Sequence, residues 1–285
     1  MKQKKVWFIT GASKGLGLAL VQQLLAKGYT VAATSRDKSA LQIAVGDNDN
    51  FLPLGVDLNS ESSVQKGIDE TVNQFGQIDV VVNNAGYGLI GGLEELSDAE
   101  ARKNFDINVF GTLNVIRKVL PYLRAQQSGH IFNISSIGGF LGTFPGFGIY
   151  CATKFAVEGL TESLSTEIKS FGLKATIVSP GYFRTQFLSS DSLGLPQNPI
   201  EAYKEVRESQ ALHQSTINGN QLGDPDKAAL AMIQVAESQN PPLHLFLGSD
   251  AYNMAYNKIN SVRQELEDWK SVTVSTAFEP QAAEA

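Results

Sequence analysis

Short apolar runs recur along the chain near residues 5–10, 29–34, 51–56, 78–82, 130–135, 174–179 and 243–247. Runs of this length read as strands buried on both faces. Between them the apolar positions follow the helical period, as Leu18, Leu20, Val21, Leu24 and Leu25 do after the first run. Such alternation predicts an α/β fold: one domain built on a doubly wound parallel sheet of about seven strands, with helices on both faces. Ligands of such sheets bind beyond the carboxyl ends of the strands, where strand order reverses. Two stretches break the pattern. Residues 182–222 gather Gly, Pro, Ser and Asn around 191–199 before one short amphipathic helix, which makes them a candidate substrate-binding lid. After a helical 250–270 segment, residues 271–285 lose periodicity, so the domain is expected to end near 270 and a mobile tail to follow.

Composition narrows the function classes. With 42% hydrophobic and 18% charged residues in 285, the chain reads as an ordinary soluble globular protein. A net charge of −6 and no Lys/Arg-rich run after Lys5 argue against nucleic-acid binding. The apolar stretch behind the basic residues 1–5 is too short for a signal core or a membrane span, so a cytoplasmic protein is expected. The single cysteine, Cys151, excludes an intrachain disulfide and a cysteine metal cluster. It is expected to pack on the inner side of its helix. His130, His213 and His244 are scattered without metal-ligand spacing, so no metal is expected and each reads as a surface or strand-edge histidine.

Two motifs carry the chemistry. The run Val6–Ile9 leads straight into Thr10-Gly11-Ala12-Ser13-Lys14-Gly15-Leu16-Gly17 and then a helix. Strand, glycine turn and helix are the context of a dinucleotide fingerprint: glycines admit a pyrophosphate close to the backbone, and the helix start favours an anion. Farther on, Tyr150 and Lys154 stand at i and i+4 on one helix face. An ammonium fixed beside a phenol should pull its pKa down from ~10 toward the working range. The G-x-x-x-G-x-G spacing, followed by Asn83-Asn84-Ala85-Gly86, Asn108, Ser135-Ser136, Tyr150-x-x-x-Lys154 and Pro180-Gly181 with Thr185, resembles the single-domain short-chain dehydrogenase/reductase family from about Lys5 to Leu247. That resemblance implies a Rossmann-like fold, a nicotinamide cofactor, a small-molecule substrate and assembly as a homodimer or homotetramer.

It also implies roles. Asp57, with Leu58 beside it, resembles the pair that meets the adenine. Asn84, Ala85 and Gly86 resemble the stretch lining the adenosine side, and Thr185 the hydroxyl that holds the nicotinamide amide. Asn108 resembles a residue of the proton relay. Tyr150 is assigned the proton, Ser136 the carbonyl and Lys154 the ribose hydroxyls. Ser136 lies one position farther from Tyr150 than the family pattern, which leaves Ser135 as its competitor. Where an NAD enzyme carries an acidic residue after the second strand, this chain has Ser35 and then Arg36. A guanidinium grips a 2′-phosphate with two charge-assisted bonds, and Lys14 can join it, so NADP(H) is expected over NAD(H). Asp37 is the competing ribose ligand.

Phe140, Leu141, Phe144, Phe147, Tyr182, Phe187 and Leu188, with Tyr87, suggest an apolar pocket for a ketone or aldehyde. The expected activity is therefore hydride transfer between NADPH and a hydrophobic carbonyl, or the reverse from a secondary alcohol. The alternative is a non-catalytic NADP-binding sensor of the same fold.

Overall fold

Side chains along the first strand, β1 (Val6–Ile9), alternate between two separate cores: Trp7 and Ile9 pack on one face of a sheet and Phe8 on the other. The computed structural model describes residues 4–190 and 192–278. In it β1 runs into helix α1 (Gly15–Ala26), then strand β2 (Thr30–Ser35), helix α2 (Lys38–Val45), strand β3 (Phe51–Gly55) and helix α3 (Glu61–Phe75). Strand β4 (Val80–Asn83) leads to helices α4 (Asp98–Phe105) and α5 (Gly111–Gln126), joined through a π turn, Asp106–Phe110. The second half contributes strand β5 (Gly129–Ile134), helix α6 (Gly148–Glu167), strand β6 (Leu173–Pro180), helices α7 (Lys204–Ala211) and α8 (Pro225–Glu237), strand β7 (His244–Leu247) and helix α9 (Ser249–Asp268).

All seven strands are parallel, in the order β3-β2-β1-β4-β5-β6-β7. The period-2 alternation explains the two layers of helices. Trp7, Ile9, Val31, Ala33, Val80 and Val82 meet Leu20, Leu24, Leu41, Met232 and Ile233 of α1, α2 and α8. Phe8, Ala32, Val81 and Ile131 meet Val64, Ile68, Val115, Val119 and Leu164 of α3, α5 and α6. Each fully buried Val, Leu, Ile or Phe among them contributes about 1.5–3 kcal/mol.

Strand order reverses between β1 and β4, whose carboxyl ends carry the glycine turn and Asn84. There the crevice opens. The expected seven strands, single domain and helices on both faces are all present. One boundary differs: residues 270–274 continue as a helical turn past the expected end of periodicity, and the tail beyond Phe278 lies outside the described residues. Among the described residues, no helix is long and apolar enough to cross a membrane.

Candidate active site

A cavity of about 1040 Å³ runs along the strand ends. Its floor is the glycine turn. Gly11 (φ 65°) and Gly15 (φ 60°) hold the left-handed backbone that admits glycine at little cost. A Cβ on Gly11 would strike Ala85 Cα at 2.6 Å, and one on Gly15 would fill the gap toward Thr185 Cβ at 3.6 Å. Ser13, Lys14 and Leu16 complete this lining.

Helix α1 starts here with no side-chain cap and no acidic residue in its first turn, whereas Asp37 caps α2 and Ser60 caps α3. Its first amides are thus left for an outside anion, which fits a dinucleotide pyrophosphate. Two residues expected at the cofactor stand behind the turn instead. The Thr10 hydroxyl accepts from the Asn84 and Ala85 amides at 3.0 and 3.1 Å, and is 1% exposed. Gly17 is small because Asn84 Nδ2 lies 2.5 Å from where its Cβ would be. Neither borders the cavity; both lock the turn to the loop after β4, with Asn84 Nδ2 donating to the Thr10 and Gly11 carbonyls.

Ser35, Arg36, Asp57 and Leu58 line one end of the cavity. Capping distinguishes the two aspartates there. Asp37 accepts from Ser39 N and Ala40 N at the start of α2, away from the cavity wall. Ser60 caps α3 and so leaves Asp57 at the wall, with Asn59 N donating to its carboxylate. Asn84, Ala85 and Gly86 follow along the wall toward Pro180, Gly181 and Thr185. Gly181 is glycine because the Asp250 carboxylate, which accepts from Tyr182 N at 2.7 Å, occupies the space beside it.

At the other end Tyr150, Ser136 and Lys154 share the wall. Lys154 Nζ lies 5.9 Å from the Tyr150 ring centre and donates to the Ile134 carbonyl at 2.9 Å. Burial lowers its pKa to about 8, opposed by the charge of Glu158. The expected lowering of the phenol's pKa is not found. Burial pushes Tyr150 well above the ordinary phenol range, and only a hydrogen bond with Ser136 pulls the other way. Lys154 is itself desolvated and turned toward the Ile134 carbonyl, and it does not offset the burial of the phenol.

Both serines line the cavity, but Ser136 borders Tyr150, whereas Ser135 Oγ donates to the buried Glu158 Oε1 at 2.8 Å. Asn108 does not reach the cavity surface. Its amide is spent on Tyr87 N and O and on Thr153 Oγ1, inside the π turn between α4 and α5. Its place is beside Gly86, where an added Cβ would meet Asn108 Oδ1 at 3.0 Å.

Phe144, Phe147, Tyr182, Phe187, Leu188 and Tyr87 all line the cavity, as expected. Phe140 and Leu141 do not: Phe140 stacks edge-on against Phe246, 5.2 Å away, in a separate cluster under α9. Cys151 is buried at the cavity wall, and burial pushes its thiol up to about 11.

The histidine expectation needs two corrections. His130 is buried in the central sheet on Thr176, which lowers it to about 3, and His213 is a buried cavity residue paired with Tyr182. His244 keeps the edge position, on β7. Nothing in the spacing marked His213, because the turn that carries it returns to the site only through the fold. Among the described residues, no cluster of His, Cys, Asp and Glu could hold a metal.

The chain is similar in sequence and fold to known proteins. Residues 5–194 match the family model described as short chain dehydrogenase. The chain is 34% identical over 275 residues to the oxidoreductase BOA17 of Botryotinia fuckeliana, covering 96% of this chain and 99% of that one. A solved short-chain dehydrogenase from Streptomyces avermitilis superposes with a TM-score of 0.88 at 36% identity, covering 98% of this chain and all of that one. ElxO, solved with NADP bound, gives 0.72 at 28% identity over 88% of this chain and 99% of its own.

Proposed function

Because the chain belongs to the short-chain dehydrogenase/reductase family and is an oxidoreductase of it, we propose that it is an NADPH-dependent carbonyl reductase acting on a hydrophobic ketone or aldehyde. One observation carries the reading: a single cavity joins an uncapped helix start and Arg36 at one end to Tyr150, Ser136 and Lys154 at the other. When bound, a reduced nicotinamide supplies hydride. Gly11, Ser13, Lys14, Gly15 and Leu16 hold the pyrophosphate, while Arg36, Ser35 and Lys14 take a 2′-phosphate. Asp57, Leu58, Asn84, Ala85 and Gly86 line the adenosine, and Pro180, Gly181 and Thr185 the nicotinamide amide. The match to a structure solved with NADP supports a nicotinamide dinucleotide in this cavity, and Arg36 carries the choice of a 2′-phosphate.

Negative charge grows on the substrate oxygen during reduction, so donors must meet it and one proton must follow. Ser136 orients that oxygen and Tyr150 gives the proton. A phenol held above its ordinary pKa by burial keeps its proton at neutral pH, as an acid in the reductive direction requires. Lys154 positions the ribose hydroxyls. Asn108 holds the Tyr87 backbone, and with it the wall beside Gly86, as a positioning residue. Residues 182–222 close over the substrate. Cytoplasmic residence and assembly as a homodimer or homotetramer belong to the same reading.

The test follows NADPH and NADH oxidation against hydrophobic and polar carbonyls, with Tyr150→Phe as control. Turnover of apolar ketones with NADPH, lost by about 10²–10⁴-fold in the variant, is expected. Tight cofactor binding with no turnover on any carbonyl would leave the non-catalytic sensor instead.

A further inference from the structure

The substrate end of the cavity is walled by Phe144, Phe147, Phe187 and Leu193, yet one polar pair, a half-buried tyrosine and a buried histidine, interrupts it. Tyr182 Oη lies 2.8 Å from His213 Nε2, and His213 Nδ1 lies 2.7 Å from the carbonyl oxygen of Ser209. His213 is only 5% exposed. Phe147 spaces the pair from the proposed acid, its ring centre 4.7 Å from His213 and 6.1 Å from Tyr150. The pair therefore faces the same chamber as Tyr150, about one aromatic ring away. Nothing in the roles given to Ser136, Tyr150 and Lys154 uses it.

The hydrogen bonds fix its polarity. A carbonyl oxygen only accepts, so the short contact to Ser209 places the imidazole proton on Nδ1. Burial lowers the His213 pKa and keeps the ring neutral, which leaves Nε2 as a bare acceptor. Tyr182 must then donate its single proton to Nε2. Burial also raises the Tyr182 phenol to about 12, so it keeps that proton at neutral pH. What Tyr182 has left for the cavity is oxygen lone pairs alone.

We propose that Tyr182, oriented by His213, is the specificity-determining contact for a hydrogen-bond donor, a hydroxyl or N–H, carried by the substrate away from its reacting carbonyl. This rests on the carbonyl-reductase reading above. The substrate class narrows accordingly: apolar ketones or aldehydes that bear a hydroxyl or amide N–H about one ring's breadth from the carbon reduced. A methyl ether at the same place would set lone pair against lone pair. An unsubstituted substrate would leave the Tyr182 oxygen buried without its donor. Tyr182 acts on the ligand directly; His213 is a positioning residue, since it touches the ligand's partner and sets which way the proton points.

The experiment uses matched triplets of aryl and alkyl ketones: plain, hydroxylated and methyl ether, with the substituent placed at several distances. KM is measured with saturating NADPH. In the wild type the hydroxylated member of at least one triplet should have a KM about tenfold below its ether. Tyr182→Phe should erase that ratio. His213→Ala frees the phenol to rotate its proton toward the cavity and should let the ether compete. His213→Gln, whose amide can donate to the Ser209 carbonyl and accept from Tyr182, should restore the discrimination, which a merely structural histidine would not allow.

Equal KM values across every triplet in the wild type, or a preference that survives Tyr182→Phe, would overturn the assignment while leaving ketone reduction intact. Should no ketone turn over at all, the reductase reading falls instead. Thermal shifts of the wild-type and Tyr182→Phe proteins with the same ligands then decide. A larger shift by the hydroxylated ligand, lost in the variant, supports the contact, and equal shifts refute it. If His213→Ala fails to fold, Tyr182→Phe, which keeps the ring, carries the test alone.

Discussion

A buried ammonium needs acceptors, and Lys154 has the Ile134 carbonyl at 2.9 Å with Glu158 one helical turn farther along α6. Glu158 accepts from the hydroxyls of Ser135 and Ser179 at 2.8 and 3.0 Å, so Ser135 serves the charge behind Lys154 rather than the substrate. Burial has already brought the ammonium down to about 8, and the carboxylate opposes the fall. The sign of a test follows directly. A negative neighbour favours the protonated amine, so removing it lowers the Lys154 pKa further. Activity that needs the ammonium is therefore expected to decline above about pH 8 in the wild type and at lower pH in Glu158→Gln. The pH dependence of kcat/KM reads this, and an unmoved alkaline limb would remove Glu158 from the role. Tyr150, Ser136 and Lys154 were legible in the sequence because one helical turn and one strand end set their spacing. The raised phenol was not, since burial comes from Phe147, Phe187 and Leu193, which only the fold assembles around it.

At the scale of elements, one carboxylate ties the segment around α7 to the loop after β4. Glu95 has a side chain 0% exposed and accepts from Gly92 N, from Ile200 N at 2.7 Å, and from Arg207 of α7 through a 2.6 Å ion pair. Burial alone would raise its pKa; the Ile200 and Gly92 amides and the Arg207 guanidinium outweigh it and hold the carboxyl below its ordinary range. A parallel pair, Gly88–Leu89 with Leu193–Gly194, adds backbone bonds between the same two regions.

Composition alone marked residues 182–222 as an irregular insertion, but the partner that fastens it lies about a hundred residues earlier, where no local pattern signals it. Glu95→Ala removes the buried carboxylate and leaves Arg207, 28% exposed, with Gln210 as its partner, so the loss should fall below about 3 kcal/mol, the cost of breaking a fully buried pair. The expected result is a several-fold rise in substrate KM with cofactor affinity nearly kept, because the glycine turn is untouched. Equal losses in both, measured by steady-state kinetics and cofactor titration, would show that the tie supports the fold at large rather than the substrate end.

Across the whole molecule, the cavity touches the carboxyl ends of every strand from β1 to β6: Gly11, Ser35, Gly55, Asn84, Ser135 and Pro180 all line it. That reach explains why so much of the fold was readable. The strand ends meet along one cavity, so motif order and strand order coincide. A ligand laid across these ends binds only the folded chain, and stabilises it by about 2.7 kcal/mol at a hundred times its Kd. At roughly 2–4 °C per kcal/mol for domains approaching this size, saturating cofactor should raise Tm by roughly 5–10 °C.

The cofactor that engages Arg36 should do more than one that does not. Asp37 turns Oδ1 to the cap of α2 and does not border the cavity, whereas Arg36 and Lys14 do, so on the proposed reading Arg36 distinguishes a 2′-phosphate from a hydroxyl, with Lys14 in support. In the wild type, therefore, NADPH should shift Tm more than NADH at equal concentration. Arg36→Asp puts a carboxylate where the phosphate would sit, repelling it and offering a ribose hydroxyl an acceptor, so the order should invert. An Arg36→Asp protein that still favours NADPH would move the phosphate anchor to Lys14, and the glycine turn rather than the end of β2 would then set the choice of cofactor.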